Sequence, residues 1–219
     1  MLRGAIFDMD GTLLDSMSVW DNVGENYLRS IGYEPRENFA ETTKDLSLYQ
    51  ASCYCKSEYG IKLSVGEIMD GVNAMVEGFY RYEAKLKQGA DEFLRRLRES
   101  GVKMCIATAT DKHLAEAALS RCGITSCFCD ILTCNSVGHG KDEPIIYRLA
   151  LESLGTKKSE TIVFEDALFA LKTAHDDGFI TAAVFDEHER AQDELKMLSD
   201  FYIKNFKEIN AFWAFAQKM

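Results

Sequence analysis

The 219-residue sequence has few features that separate a chain into units: it contains only two prolines and no tract rich in serine, glycine and proline. These absences exclude a long linker and a low-complexity segment, and no internal repeat is present. With 47% hydrophobic residues, the chain can fill a sizeable core. We therefore expect a globular protein, either one large domain or a domain with a substantial insertion.

Positive charge is also scarce, since 25 lysines and arginines face 35 aspartates and glutamates and the formal net charge is −10. This is the wrong sign for a protein whose main partner is nucleic acid. No run approaches the roughly 18 uncharged apolar residues of a membrane span, and "MLRGAIFD" does not resemble a secretion signal. We expect a cytoplasmic protein with neither a nucleic-acid nor a membrane partner, and a monomer because no apolar heptad is evident.

Cysteine occurs seven times, an odd number, and no secretion signal accompanies it. Reduced thiols are therefore expected rather than a disulfide framework. The pairs Cys53/Cys55 and Cys127/Cys129 lack the Cys-x-x-Cys spacing of zinc sites, and residues two apart point to different faces of a strand or helix. This pattern favours thiols in the core or on the surface over a metal site.

Short apolar runs alternate with helical stretches from about Gly89 onward, for example "VKMCIAT" and "TIVFED". Such alternation is typical of right-handed βαβ units around a parallel sheet. The run "RGAIFD" has the same strand character, but the roughly ninety residues that follow it are too many for one crossover. We predict an α/β protein: a Rossmann-like parallel-sheet core (residues 1–15 and 88–219) with an inserted α-helical cap domain (residues 16–87).

Polar residues follow several of the predicted strands, at the edge where ligands bind in open parallel sheets. Carboxylates that converge there repel one another unless a cation lies between them, and oxygen ligands suit Mg²⁺, which a substrate phosphate oxygen often completes. A hydroxyl, backbone N–H groups and a lysine ammonium are the groups that hold a phosphoryl group. The combination predicts phosphoryl transfer, and its members are Asp8, Asp10, Thr108, Thr110, Lys141, Glu165 and Asp166.

Competing motifs fail on spacing. An EF-hand that starts at Asp8 would need glycine where Leu13 stands, and "GHGKDE" lacks the Ser or Thr that follows the lysine of a P-loop. No Gly-x-Gly-x-x-Gly follows any predicted strand, which disfavours a dinucleotide site.

Four segments, "FDMDGTLLDS", "IATAT", "GKDEP" and "VFEDA", follow one another in a specific order and spacing. In this they resemble the four motifs of the haloacid dehalogenase-like (HAD) hydrolase superfamily. The subgroup they resemble has a helical cap after the first motif and includes β-phosphoglucomutase and phosphoglycolate phosphatase. The resemblance extends over essentially the whole chain and is weak in the cap.

The resemblance implies a role for each matching residue. Asp8 is the expected nucleophile, which forms an aspartyl-phosphate, and Asp10 is expected to protonate the leaving alcohol and then deprotonate water. Thr108 and the amide of Ala109 would bind the phosphoryl group, and Lys141 would hold both that group and Asp8.

The resemblance also implies a Mg²⁺ cofactor. Its ligands would be Asp8, the backbone carbonyl of Asp10, and Asp166. Glu165 would be either a direct ligand or a residue that contacts the direct ligands.

Within the superfamily, dehalogenases and phosphonate-cleaving relatives lack the second aspartate of the first motif, so Asp10 indicates a phosphate ester. Mutases of this type usually have histidine where Trp20 stands. We predict a Mg²⁺-dependent phosphatase that acts on a small phosphorylated metabolite. A sugar-phosphate mutase is the nearer alternative; a non-catalytic binding module is the other, against which the intact motif set argues.

Cap residues decide specificity in this subgroup, and Trp20 and Lys44 are the candidates. Trp20 has an alternative interpretation as a core aromatic, since aromatic residues at helical spacing are more often part of the core. Asp142 stands where the family often has proline and would weaken phosphate binding if it faces the site.

Overall fold

The computed structural model describes residues 1–43 and 46–218. These residues include one six-stranded sheet with the strand order β3-β2-β1-β4-β5-β6. All neighbouring strands pair in parallel. The predicted α/β fold with a parallel sheet is confirmed. The strands are β1 (Gly4–Phe7), β2 (Lys103–Thr108), β3 (Ile131–Thr133), β4 (Thr161–Glu165), β5 (Ile180–Val184) and β6 (Phe201–Ile203).

Helices connect these strands, and six described helices lie in the chain between β1 and β2, of which the first five precede residue 83. We call these five, α1–α5, the inserted helices. They are α1 (Met17–Trp20), α2 (Val23–Ser30), α3 (Phe39–Thr43), α4 (Leu48–Tyr59) and α5 (Val65–Tyr82). The helices that follow in the described residues are α6 (Ala90–Glu99), α7 (Lys112–Arg121), α8 (Cys134–Val137), α9 (Ile145–Leu154), α10 (Leu168–Asp176), α11 (Gln192–Leu198) and α12 (Ile209–Ala216).

Strand β1 lies at the centre of the sheet because all of its residues are apolar enough to be buried on both faces. Successive side chains alternate between the faces, so Ala5 and Phe7 join one hydrophobic cluster and Ile6 joins the other. Phe7 stacks on Phe164 of β4 with ring centroids 4.2 Å apart. This packing fixes the position of the chain just before Asp8.

The inserted helices have a hydrophobic cluster of their own, which includes Leu28, Phe39, Ile68 and Val72. Side-chain capping boxes start α4 and α5, and Gly60 ends α4 in the left-handed conformation with φ +63°. The helices therefore begin and end through local signals that the sequence contains.

Two chain segments connect the inserted helices to the sheet, and they run side by side. The N–H of Lys87 donates to the carbonyl of Leu13 at 2.8 Å, and the N–H of Asp15 donates to the carbonyl of Lys85 at 2.9 Å. The domain boundaries predicted near residues 16 and 87 fall beside this pair of segments and stay a prediction.

All seven cysteines are free thiols in the described part of the chain. Cys55 is buried, and burial raises its pKa to about 11. In residues 1–43 and 46–218, no helix combines the length and the apolar character that crossing a membrane requires.

Lys87 of the second connecting segment is partly buried and forms an ion pair with Asp186, a buried residue that follows β5. Lys87 Nζ lies 2.8 Å from Asp186 Oδ2, and the N–H of His188 donates to Asp186 Oδ1 at 2.9 Å. Burial alone would raise the pKa of Asp186, but the hydrogen bonds from Lys87 and His188 outweigh burial and lower it.

We predict that Asp186→Asn lowers the free energy of unfolding by about 1–3 kcal/mol at pH 7, because Lys87 loses its buried counter-ion. A lowered folded-state pKa stabilises the protein fully above the unfolded-state value of about 3.9 and stops doing so as the pH falls through the folded-state value. Urea unfolding should therefore show the difference between parent and variant shrinking below about pH 4.

Asp176→Asn is the matched control, because Asp176 forms an exposed pair with Lys172 at 2.5 Å. Exposed pairs of this kind contribute little, so no measurable change is expected. Equal effects of the two substitutions at pH 7 would contradict the assignment of Asp186 as a stabilising contact.

Candidate active site

The turn after β1 brings Asp8 and Asp10 to the same edge of the sheet. The N–H of Asp8 donates to the carbonyl of Phe164 at 2.9 Å, so Asp8 extends the pairing of β1 with β4. The chain then folds back, and the N–H of Leu13 donates to the carbonyl of Met9 at 2.9 Å. Both carboxylates therefore lie beyond the carboxyl end of a central strand, as the sequence predicts.

Gly11 permits this turn for two reasons. Its φ of +76° lies in the left-handed region that side chains disfavour, and a Cβ at this position would lie 2.2 Å from Asp166 Oδ2. The next residue holds the same carboxylate, since the Thr12 hydroxyl donates to Asp166 Oδ1 at 2.8 Å. The dipeptide Gly11-Thr12 thus positions Asp166 against the turn that contains Asp8.

Three buried carboxylates, those of Asp8, Glu165 and Asp166, offer oxygen atoms within 4.8 Å of one another. Lys141 lies among them: its ammonium donates to Asp8 Oδ1 and, at 2.7 Å, to Glu165 Oε1. The hydroxyl of Tyr147 donates to the same Glu165 oxygen at 2.7 Å. We call these three carboxylates the acidic cluster.

Burial and the neighbouring charges shift the pKa values of residues in and beside the acidic cluster. Burial raises the pKa of Asp166 well above its ordinary value, and the charges of Asp8 and Glu165 add to the rise. Burial also raises the pKa of Glu165 to about 7, although Lys141 opposes this. Burial alone would lower the pKa of Lys141, but Asp8 and Glu165 outweigh it and raise that pKa above its ordinary value.

The acidic cluster fits a hard divalent cation. When ionised, three carboxylates beside one ammonium leave two negative charges uncompensated in a buried site, which costs free energy unless a cation neutralises them. Within the described residues, Asp8 Oδ2 is buried and has no hydrogen-bond partner. Glu165 Oε1 accepts two hydrogen bonds, from Lys141 and Tyr147, so this oxygen is the least available of the cluster.

Asp10 occupies a different environment, made of hydroxyl groups. Ser16 and Tyr80 donate to its Oδ1 and Thr110 donates to its Oδ2, each at 2.6 Å. Burial and then the charge of Asp8 raise the pKa of Asp10, while the three hydroxyl donors oppose the rise. Asp8 and Asp10 are thus neighbours in sequence with distinct partners, an arrangement suited to distinct roles.

Thr108 and Ala109 lie at the end of β2, beside the acidic cluster. The N–H of Thr110 donates to Thr108 Oγ1 at 3.1 Å, so the hydroxyl proton of Thr108 is available to a ligand. Ala109 and Lys141 line a cavity of about 40 Å³ together with Ser47 and Gln50 at the start of α4. Because one water needs about 10–15 Å³, this cavity has room for a small group only.

Asp142 lines the same cavity as Ala109 and Lys141, two of the predicted phosphate-binding residues. The amide of Gln50 on α4 donates to Asp142 Oδ2 at 3.5 Å, which links the inserted helices to the sheet edge. Trp20 packs against both hydrophobic clusters next to it and donates its indole N–H to the hydroxyl of Tyr80 at 2.8 Å. Lys44, the other predicted specificity residue, lies outside the described residues.

Tyr80, Tyr147 and Ser16 have no role in the prediction from sequence, yet each contacts a residue of the predicted site. Ser16 ends the first motif and could have been noticed as a hydroxyl close to Asp10. Tyr80 and Tyr147 lie on helices among apolar residues, where an aromatic side chain is normally part of the core. Only the folded structure shows that their hydroxyl groups reach carboxylates.

Several known proteins are similar to this chain. Hexitol phosphatase B of Escherichia coli (strain K12) is 25% identical over 157 residues, which cover 70% of this chain and 70% of that protein. The crystal structure of CbbY from Rhodobacter sphaeroides in complex with phosphate has a TM-score of 0.82 at 20% identity, covering 95% of this chain and 96% of that one. The structure of β-phosphoglucomutase from Clostridium difficile has a TM-score of 0.80 at 16% identity, covering 100% and 98%.

At these identities the two solved structures show a shared fold and nothing more. A family model supports a stronger conclusion. Residues 2–176 of this chain match the model described as haloacid dehalogenase-like hydrolase. The matched range contains β1, β2 and β4 and every member of the acidic cluster. The chain therefore belongs to the haloacid dehalogenase-like hydrolase family.

Proposed function

We propose that this protein is a Mg²⁺-dependent phosphatase that cleaves a small phosphorylated metabolite through an aspartyl-phosphate on Asp8. The observation that supports this best is the state of the Asp8 carboxylate. Lys141 holds Oδ1, while Oδ2 is buried and unpartnered among the described residues. An oriented carboxylate oxygen without a hydrogen bond is suited to bind a cation or to attack phosphorus.

Asp8, Asp166 and the backbone carbonyl of Asp10 would hold Mg²⁺, and Glu165 would orient Lys141 from outside this set. When bound, Mg²⁺ supplies positive charge that offsets the acidic cluster and the phosphoryl oxygens. The chain adds further donors of its own around the phosphoryl group: the hydroxyl of Thr108, the amide of Ala109 and the ammonium of Lys141.

In the first step an oxygen of Asp8 forms a bond to phosphorus, and the bond from phosphorus to the leaving oxygen breaks. Protonated Asp10 gives its proton to that oxygen, so the product leaves as an alcohol. In the second step Asp10 takes a proton from water as the water oxygen attacks phosphorus. The bond between Asp8 and phosphorus then breaks, which restores Asp8 and releases inorganic phosphate.

The substrate is proposed to be a small sugar or polyol phosphate, which is the class that the name of hexitol phosphatase B states for that protein. The cavity of about 40 Å³ beside Lys141 can accept a phosphoryl group but not a whole sugar. The inserted helices would therefore act as a cap that moves to admit substrate and closes to exclude water. Free thiols and the acidic composition agree with a cytoplasmic monomer.

A sugar-phosphate mutase is the second candidate, because the fold is shared with β-phosphoglucomutase. Such an enzyme would use the same Asp8 but return the phosphoryl group to a sugar. It would release little inorganic phosphate and would need a bisphosphate to start the cycle.

We predict that the parent protein releases inorganic phosphate from members of a panel of hexitol and other sugar phosphates when Mg²⁺ is present and not when a chelator replaces it. Asp8→Asn should lower turnover by about 10³-fold or more, because the amide is not a nucleophile. Asp15→Asn makes the same change at an exposed position and should retain parental activity.

Isomerisation of a sugar monophosphate only after addition of a bisphosphate, with no phosphate released, would establish the mutase instead. Absence of both reactions would contradict an enzymatic role for the acidic cluster.

Gly11 allows a separate test of the proposed metal site. Its replacement by alanine forces Asp166 away from Thr12, so Gly11→Ala should abolish both the Mg²⁺-dependent rise in melting temperature and phosphatase activity. Gly101→Ala is the control: it has φ +77°, and no described atom within 4 Å of the added carbon. It should lose about 1–2 kcal/mol of stability yet keep its response to Mg²⁺. A parental Mg²⁺ response in Gly11→Ala would show that Asp166 is not a ligand.

A further inference from the structure

A chain of two hydrogen bonds connects the inserted helices to Asp10. The indole N–H of Trp20 on α1 donates to the hydroxyl oxygen of Tyr80 at 2.8 Å, and the Tyr80 hydroxyl donates to Asp10 Oδ1 at 2.6 Å. Tyr80 is completely buried, and its ring lies tilted against that of Trp20 with centroids 6.3 Å apart. Asp10 itself lies in the turn that follows β1, so these two hydrogen bonds connect that turn to α1 and α5.

The direction of this chain follows from the chemistry of its donors. An indole nitrogen can only donate, so the Tyr80 oxygen must accept from Trp20. A phenol has a single proton, and with its oxygen facing Trp20 as acceptor that proton is directed to Asp10. The carboxylate of Asp10 therefore receives a directed hydrogen bond from α5 rather than a freely rotating one.

The three hydroxyl donors to Asp10 come from three different parts of the chain. Thr110 follows β2, Ser16 lies in the first connecting segment, and Tyr80 lies on α5. The carboxylate of Asp10 thus accepts hydrogen bonds from three separate parts of the chain. Of the three, Tyr80 is the donor that lies within an inserted helix, whereas Ser16 immediately precedes α1.

We propose that Tyr80, directed by Trp20, is a positioning residue that aims the carboxyl group of Asp10 at the leaving oxygen when the inserted helices are closed. The proposal rests on the proposed function, because it takes Asp10 as the acid and base. It also gives Trp20 a role through Tyr80, in place of the predicted contact with substrate.

The nature of the leaving group separates this role from a purely structural one. An alkyl leaving oxygen is strongly basic and needs the proton of Asp10, whereas 4-nitrophenolate leaves readily without one. If the carboxyl group of Asp10 is wrongly oriented, the cleavage of an alkyl phosphate should therefore be slower. The cleavage of 4-nitrophenyl phosphate should change little. The parameter kcat/KM is the appropriate measure, because it reports the steps up to transfer of the phosphoryl group to Asp8.

The test compares kcat/KM for sorbitol 6-phosphate, a hexitol phosphate, with that for 4-nitrophenyl phosphate in the Mg²⁺-loaded protein. For Tyr80→Phe we expect a fall of about 10- to 100-fold with sorbitol 6-phosphate and less than about 3-fold with 4-nitrophenyl phosphate. Trp20→Phe keeps the tyrosine but removes the donor that directs it, so a smaller fall in the same direction is expected. Tyr27→Phe removes a buried hydroxyl elsewhere in the inserted helices and should leave the ratio of the two values unchanged.

Melting temperatures of the variants identify any that fail to fold, and Trp20→Phe remains informative if Tyr80→Phe is one of them. An equal loss with both substrates, or no loss in either variant, would overturn the positioning role while leaving the phosphatase assignment intact. Failure of the parent protein to release phosphate from 4-nitrophenyl phosphate and from every member of the sugar-phosphate panel would instead overturn the proposed function, and the positioning role with it.

Discussion

The mutual repulsion of the buried carboxylates is the constraint on which the rest of the site depends. Strands β1 and β4 pair with Phe7 opposite Phe164, so Asp8 and Glu165, the residues that come next, are forced together. The hydrophobic packing of the strands thus brings like charges close, and Lys141 offsets only part of the cost. The remaining negative charge explains why this edge of the sheet is suited to a cation, whose positive charge would in turn favour a phosphoryl group.

The roles proposed for Asp8 and Asp10 are supported by their different partners. Asp8 has an ammonium on one oxygen and an open second oxygen, which suits bond formation to phosphorus. Asp10 is surrounded by hydroxyl groups that can reorient when it gains or loses a proton. The inserted helices contribute to both environments, through Tyr80 at Asp10 and through Gln50 near Lys141, so closure of these helices and assembly of the site would be coupled.

The sheet and the acidic cluster could be predicted from the sequence because both depend on local patterns. Alternating apolar runs and helices predict parallel strands, and parallel strands bring their carboxyl ends to one edge of the sheet. Asp8, Lys141 and Asp166 could therefore be assigned to one site from the sequence alone. The contact between Tyr80 and Asp10 joins residues 70 positions apart. The sequence does not show where the polar group of an aromatic side chain on a helix points. The role of Trp20, whose polar group is the indole N–H, is ambiguous for this reason.

The most direct test of the account is to look for the phosphoryl group on Asp8. The protein is mixed with a substrate and Mg²⁺, quenched in acid within the first turnovers, digested and analysed by mass spectrometry. The account predicts the added mass of one phosphoryl group on the peptide that contains "FDMDGT", located at Asp8 and absent from Asp8→Asn. Turnover with no modified peptide under conditions where the second step is slowed, or a phosphoryl group on a different residue, would contradict it.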